Sequence, residues 1–290
     1  MQLDFIKMEG AGNDYVYLDC LKTPAPSLSP AQIARISDRH FGIGSDGVVM
    51  ILPSDRADAF MRMWNSDGSE SAMCGNALRC VAFYTGQQLG QDSLSIETLS
   101  GVHPAQILEK GAGDSKDPVT LQGYVSVSIG KPRLEAAQIP FSGPGTTGAG
   151  PLVDVPLGTI PGIAGEVRAT LVSMGNPHCV VFVPEPDAID ISLSGPAIER
   201  HPAFPEKTNV EFVSILPDGS IKQRTWERGS GETLACGSGV CAVLVASVLA
   251  RNLPRKNTIR VRGGELRAEW TDEVVLYGPA RIVYKGRITV

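Results

Sequence analysis

Along most of the chain, apolar and polar residues alternate or gather in short apolar blocks bounded by Gly, Pro, Asn or Asp. This two-residue period predicts strands at 15–19, 48–52, 60–64, 94–97, 124–129, 169–173, 179–183, 210–215, 222–226, 258–261, 265–270 and 273–277. Helical signals are fewer. A Ser29 cap followed by Pro30 opens a helix over 30–39, and a short one is expected at 196–200. Two longer apolar segments, 75–84 and 237–250, each begin directly after a cysteine. Many strands with few helices predict an α+β class in which antiparallel pairing dominates. Two Gly/Pro-rich stretches, 110–118 and 142–151, are expected as surface loops.

The pattern also repeats. Trp64-Asn65 stands eight residues before Cys74-Gly75, and Trp226-Glu227 stands eight residues before Cys236-Gly237. Glu70 and Ser71 match Glu232 and Thr233 inside that window, Gly12-Asn13 matches Gly175-Asn176, and Gly47-Val48 falls opposite Asn209-Val210. Several anchors at one near-constant offset predict two similar halves, each with a strand, a tight turn and a cysteine at a helix start. The expected division is 1–123 with 279–290 against 124–278.

Composition narrows the function classes. The 290 residues are 42% hydrophobic and 20% charged, which excludes a disordered chain. A net charge of −5 provides no basic field for nucleic acid or an anionic membrane surface. Asp4, Lys7 and Glu9 interrupt any signal-type apolar run near the N-terminus. The most apolar stretch, 240–250, falls short of the ~20 residues that span a bilayer. Six cysteines without a C-x-x-C argue against structural zinc, and we expect no metal, reduced thiols and a cytoplasmic protein.

Cys74 and Cys236 carry the candidate chemistry. A thiol at a helix N-terminus is expected to have a lowered pKa, because the unpaired N–H groups favour the thiolate. Gly75-Asn76 and Gly237-Ser238 would let each helix start approach and hold a carboxylate. Two such groups suit inversion of a stereocentre, in which one sulfur removes a proton from one face and the other delivers one to the opposite face. Two further readings stay open at this level: small buried hydrophobes, or a redox-active pair in a thiol sensor. Cys20, Cys80, Cys179 and Cys241 lie among apolar or strand residues and read as packing thiols. The literal G-x-G-x-x-G of Gly42, Gly44 and Gly47 has a helix before it and a strand after it, the reverse of a dinucleotide fingerprint.

The runs MEGAGNDYVYLD (8–19), FGIGSDG (41–47), WNSDGSESAMCGNALRC (64–80), SMGNPHCVVFV (173–183), TNVEFV (208–213) and WERGSGETLACGSGVCA (226–242) together resemble the diaminopimelate epimerase family. The resemblance spans essentially the whole chain. It implies two pseudo-symmetric domains, each a curved, mostly antiparallel sheet wrapped around a central helix. It also implies a homodimeric, cofactor-independent epimerase acting on a small diamino-dicarboxylate, with Cys74 and Cys236 as the acid–base pair. Asn13, Asn65, Asn176 and Asn209 match substrate-holding amides, and Glu227 and Arg228 match groups for an ammonium and the distal carboxylate. Gly75, Asn76, Gly237 and Ser238 match the groups around the reacting carboxylate, while His178 and Glu227 match residues that adjust the thiols. Gly47 stands where some members have Gln. Proline-type racemases or isomerases of the same fold are the enzyme alternatives; Arg228 and four amides exceed what a single-carboxylate substrate needs.

Overall fold

The computed structural model describes residues 1–112, 121–144 and 150–290. Residues 113–118 and 145–149 of the two Gly/Pro-rich stretches fall outside them. Where the first is described, at 110–112, it continues the strand Gly101–Ala112 instead of forming a loop. The chain divides into two compact units, Met1–Ser128 with Tyr277–Val290, and Ile129–Leu276.

In the first unit, Gln2–Gly10 and Asn13–Asp19 form an antiparallel hairpin. A crossover carrying α1 (Pro30–Ser37) leads to Gly47–Leu52, which runs parallel to Asn13–Asp19. Ala59–Asn65 returns antiparallel, and the two-residue strand Glu70–Ser71 folds back on it. Then come α2 (Gly75–Leu89), the parallel strand Ser93–Thr98, and Gly101–Ala112 and Leu121–Gly130 in antiparallel sequence. The second unit repeats this order. Glu166–Ser173 and Pro177–Phe182 form the hairpin, α3 (Ile191–Glu199) lies on the crossover, and Asn209–Ile215 is the parallel strand. Ile221–Glu227, Gly231–Thr233, α4 (Gly237–Arg251), Lys256–Val261 and Gly264–Trp270 follow in matching roles. The class is α+β, with antiparallel pairs in the majority.

Each unit wraps its sheet around its second helix. α2 packs against Gln2–Gly10, Asn13–Asp19, Ala59–Asn65, Ser93–Thr98 and Gly101–Ala112, and every residue from Gly75 to Gly86 is buried. α4 packs against Glu166–Ser173, Pro177–Phe182, Asn209–Ile215, Lys256–Val261 and Gly264–Trp270, buried from Gly237 to Ser247. A helix apolar on all sides needs such enclosure. Alternation does the rest. Leu3, Phe5, Val16, Leu18, Val48 and Met50 pack with Ile33 and Ile36 of α1, while the intervening Tyr17, Val49 and Ile51 turn to the other side. In the second unit Val181, Val210 and Phe212 meet Ile191 and Ile198 of α3 in the same way.

Some sequence expectations need correction. The short helix expected at 196–200 is instead Ile191–Glu199, started by Asp190, whose carboxylate accepts the Ser192 N–H at 3.2 Å. Pro196 therefore lies inside the helix and not at its first turn, a position that burial of Ile191, Ser194, Gly195 and Ile198 makes tolerable. The 30–39 helix stops at Ser37, because Asp38 is extended and its carboxylate takes the N–H groups of His40 and Phe41. α2 runs past 84 to Leu89 and ends on left-handed Gly90. Gln2–Gly10, outside the strands expected from the sequence, is a strand in which Lys7 is buried against Asp14 and the Gly44 carbonyl.

Candidate active site

Each unit presents a cysteine at the N-cap of its enclosed helix. In the first, Cys74 is extended and half-buried, its thiol 3.4 Å from Asn13 Oδ1. Asn13 follows the hairpin turn formed by Ala11 and Gly12, both at positive φ, and the Gly12 N–H is held by Glu9 at 2.9 Å. Asn76, in the first turn of α2, donates Nδ2–H to Asn13 Oδ1 at 3.4 Å and accepts from Arg79 Nη2 at 2.9 Å. Gly75 begins the helix and is buried. Asn65 lies at a strand end and donates to Ser69 Oγ at 3.0 Å, bound into its own turn.

In the second unit, Cys236 is buried at the start of α4, its sulfur 3.5 Å from Ser238 Oγ and in hydrogen-bonding contact with the Gly239 N–H and Glu227. Asn176, at the place of Asn13, donates to Ser238 Oγ at 3.3 Å and meets His178 Nε2 at 3.1 Å. The other ring nitrogen of His178 meets Glu211 Oε1 at 2.8 Å, with both side chains fully buried. Glu227 accepts the Thr233 hydroxyl at 2.6 Å. Gly237 and Ser238 form the buried first turn.

The electrostatics of Cys236 reverse the expectation of a depressed thiol. Burial pushes its pKa well above the ordinary thiol value, and the carboxylates of Glu227 and Glu211 push the same way. Hydrogen bonds from Ser238 and the Gly239 N–H pull it down without overcoming that. Desolvation also raises Glu227, although the residue as a whole is only half-buried, because its carboxylate end is withdrawn from water. The packing thiols behave as expected: Cys80 is pushed to about 12 and Cys179 well above its usual value, both by burial. None of the six cysteines is joined in a disulfide.

Two predicted site residues have largely structural neighbours. Asn209 uses both ends of its amide, donating to the Pro177 carbonyl at 2.8 Å and accepting the Arg228 N–H at 3.0 Å. It thereby holds the turn on which the exposed Arg228 sits, with Arg228 Nη1 on the Glu206 carbonyl at 3.0 Å. Gly47 has no room for a longer residue: a Cβ there would lie 2.0 Å from the Trp64 carbonyl oxygen and 2.9 Å from the Tyr15 ring. Gly42 is required for a similar reason, its Cβ position falling 2.1 Å from the Arg35 carbonyl oxygen, so these FGIGSDG glycines serve close packing.

Several participants carry little local sequence signal. Glu211, Arg79 and Asp46 lie inside quoted motif runs but between the residues singled out there. Glu199, the last residue of α3, accepts Trp226 Nε1 at 2.8 Å and the Gly229 N–H at 3.2 Å, bracing the turn of Arg228 from the other side. Its only sequence signal is an acidic residue next to an apolar helix.

Comparison with known proteins gives a consistent result. The family model described as diaminopimelate epimerase matches residues 5–128 and 170–283. The chain is 45% identical over 291 residues to the diaminopimelate epimerase of Pelotomaculum thermopropionicum, covering 98% of each chain. Among solved structures it is similar to a PhzF-family phenazine biosynthesis protein of Bacillus anthracis, with a TM-score of 0.67, 14% identity and 100% of each chain covered. A hydroxyproline epimerase of Agrobacterium vitis superposes with a TM-score of 0.65 at 16% identity, over 99% of this chain and 92% of that one. These two likenesses concern the fold.

Proposed function

Since the chain belongs to the diaminopimelate epimerase family, we propose that it interconverts LL- and meso-2,6-diaminopimelate by proton transfer between the α-carbon and Cys74 and Cys236, with no cofactor or metal. The observation that carries this reading is the pair of cysteines at equivalent N-caps of the two enclosed helices, each followed by a buried first turn. An α-hydrogen is a very weak acid, so the carbanion-like transition state needs preorganised donors. The first-turn N–H groups of α2 and α4 supply such donors for the reacting carboxylate. In either direction one sulfur, as thiolate, removes the α-proton while the other, as thiol, delivers one to the opposite face, and the roles exchange in reverse.

Glu227 and Asn176 accept from the substrate ammonium, and His178 acts on Cys236 through Asn176 and Ser238. Arg228 takes the distal carboxylate, in a bidentate contact that lysine could not reproduce. Asn13 and Asn65 add amide contacts, and Asn209 sets the Arg228 turn. The requirement for a distal carboxylate favours diaminopimelate over proline-type substrates. We take the enzyme to be a cytoplasmic homodimer serving lysine and peptidoglycan precursor synthesis.

Deuterium entry at the α-carbon in heavy water, followed by NMR with each stereoisomer, tests this reading. The parent protein should exchange and invert both isomers in the presence of EDTA and a carbonyl trap. Cys74→Ser and Cys236→Ser should each lower inversion by at least about 10²-fold, the usual contribution of a general acid or base. Inversion at the parental rate in both variants, or abolition by either reagent, would exclude the mechanism.

A further inference from the structure

The FGIGSDG run binds no dinucleotide and supplies no substrate residue in the reading above, yet its aspartate reaches the Cys74 site. Asp46 Oδ2 accepts Asn13 Nδ2–H at 2.6 Å and the Asp14 N–H at 3.1 Å, and Asp46 Oδ1 accepts Arg39 Nη2–H at 2.9 Å. The Asp46 N–H returns a bond to the Asp14 carbonyl at 2.8 Å, so the aspartate is fixed to the segment that bears Asn13. An ionised carboxylate only accepts hydrogen bonds and a guanidinium only donates them. The contacts therefore have one direction: Arg79 to Asn76 at 2.9 Å, Asn76 to Asn13 at 3.4 Å, and Asn13 to Asp46 at 2.6 Å.

We infer that Asp46 is a positioning residue that orients the Asn13 carboxamide, so that Cys74 faces its oxygen and not its N–H. The lengths decide which end governs Asn13. Its bond to Asp46 is short and charge-assisted, whereas its bond from Asn76 is long, so Asp46 dominates. Arg79, fully buried, governs Asn76 in the same sense. In the second unit the carboxylate acts one group further away: Glu211 accepts from His178 Nδ1–H, and Asn176 lies between His178 Nε2 and Ser238. The two cysteines thus differ in what faces them, although the fold around them repeats. An oxygen facing a thiol favours S–H, and an N–H favours the thiolate.

This inference rests on the reading of Cys74 as a reacting thiol, but its test needs no turnover. In the ligand-free full chain, the pH dependence of iodoacetamide labelling at Cys74 is read by peptide mass spectrometry; Cys74 is half-buried and the other five cysteines are buried. Asp46→Asn keeps the shape and lets Asn13 turn its N–H to the sulfur, so the labelling midpoint should fall by about one pH unit, tenfold in thiolate fraction. Removal of a nearby charge alone predicts another pattern, which Arg39→Gln measures. That variant leaves the Asn13 bond intact, and its exposed charge is screened, so the midpoint should stay within about a third of a unit. Should Asp46→Asn fail to fold, Asp46→Ser, which both donates and accepts, should shift the midpoint the same way. An unshifted midpoint in the Asp46 variants would overturn the inference. So would a rise in Arg39→Gln as large as the fall in Asp46→Asn. If labelling of Cys74 leaves turnover intact, the catalytic reading fails while the orientation result stands.

Discussion

At the scale of single residues, Glu227 illustrates a compromise between stability and chemistry. Its carboxylate is desolvated, which raises its pKa in the folded state above the ~4.3 of an unfolded chain. The neutral form therefore contributes stability that is complete well below the unfolded value and is lost as pH rises through the folded value. Glu227→Gln keeps the shape and the Thr233 bond without a charge. It should match the parent protein in urea unfolding well below pH 4 and exceed it at pH 8. Turnover should fall by roughly 30-fold or more, since removing a charged partner in a closed site costs about 2–5 kcal/mol. Equal stabilities at pH 8 would show that the carboxylate is not held against its preferred state. The two cysteines were legible in the sequence because each is marked locally, by Gly-rich residues after it and Trp before it. Asp46 and Glu211 were not, because their partners Asn13 and His178 come from other strands and only folding brings them together. The depressed thiol expected at Cys236 failed for a related reason: a helix start is visible in sequence, but burial beside two carboxylates is not.

At the scale of elements, the start of α4 combines glycine, a poor helix former, with crowding. Gly239 lies in the first turn of α4, where alanine would ordinarily gain up to about 1 kcal/mol of helix propensity. A Cβ at that position would stand 2.7 Å from Glu211 Oε1 and 3.2 Å from the Cys236 Cβ. Glu211 cannot swing aside, because it is fully buried and bonded to His178. Overpacking of this kind costs typically 1–3 kcal/mol and outweighs propensity. Gly239→Ala should therefore lower the unfolding free energy by about 1–2 kcal/mol. The displaced Glu211–His178 pair should also lower turnover. A variant more stable than the parent would mean that the first turn of α4 has room to spare. Helix existence was legible from apolar periodicity, whereas helix ends depended on caps. Ser29 was recognised, but the Asp190 cap was hidden by the stronger local signal of Pro196. The strand Gln2–Gly10 was obscured for a different reason, since Lys7 is buried only because Asp14 and the Gly44 carbonyl receive it.

At the scale of the whole molecule, the repeat visible in the sequence accounts for the order of nearly every element, but the two units complete their hairpins differently. Beside Glu166–Ser173 the added antiparallel strand is Val155–Thr159, from the chain just before it. Beside Gln2–Gly10 it comes from the far end of the chain, with Gln2 opposite Thr289 and Glu9 opposite Arg281. Ile288 and Val290 pack against the cluster of Leu3, Phe5, Val16 and Ile33, and Tyr284 meets Phe5 edge-on at 5.9 Å. Deleting 281–290 would uncover Leu3 and Phe5, each about 1.5–3 kcal/mol when buried, and leave a long unpaired edge. Against a typical total of about 5–15 kcal/mol, that loss is large. The truncated chain should unfold at a markedly lower urea concentration, aggregate more readily, and lose hydrogen-exchange protection along Gln2–Gly10. Arg287→Ala is the contrasting variant. It breaks only an exposed ion pair with Asp4, worth about 0–1 kcal/mol, and should leave the midpoint almost unchanged. If truncation and Arg287→Ala had equally small effects, strand pairing at the chain ends would contribute little. The first unit would then owe its stability to the enclosure of α2 and the packing of α1 on the sheet.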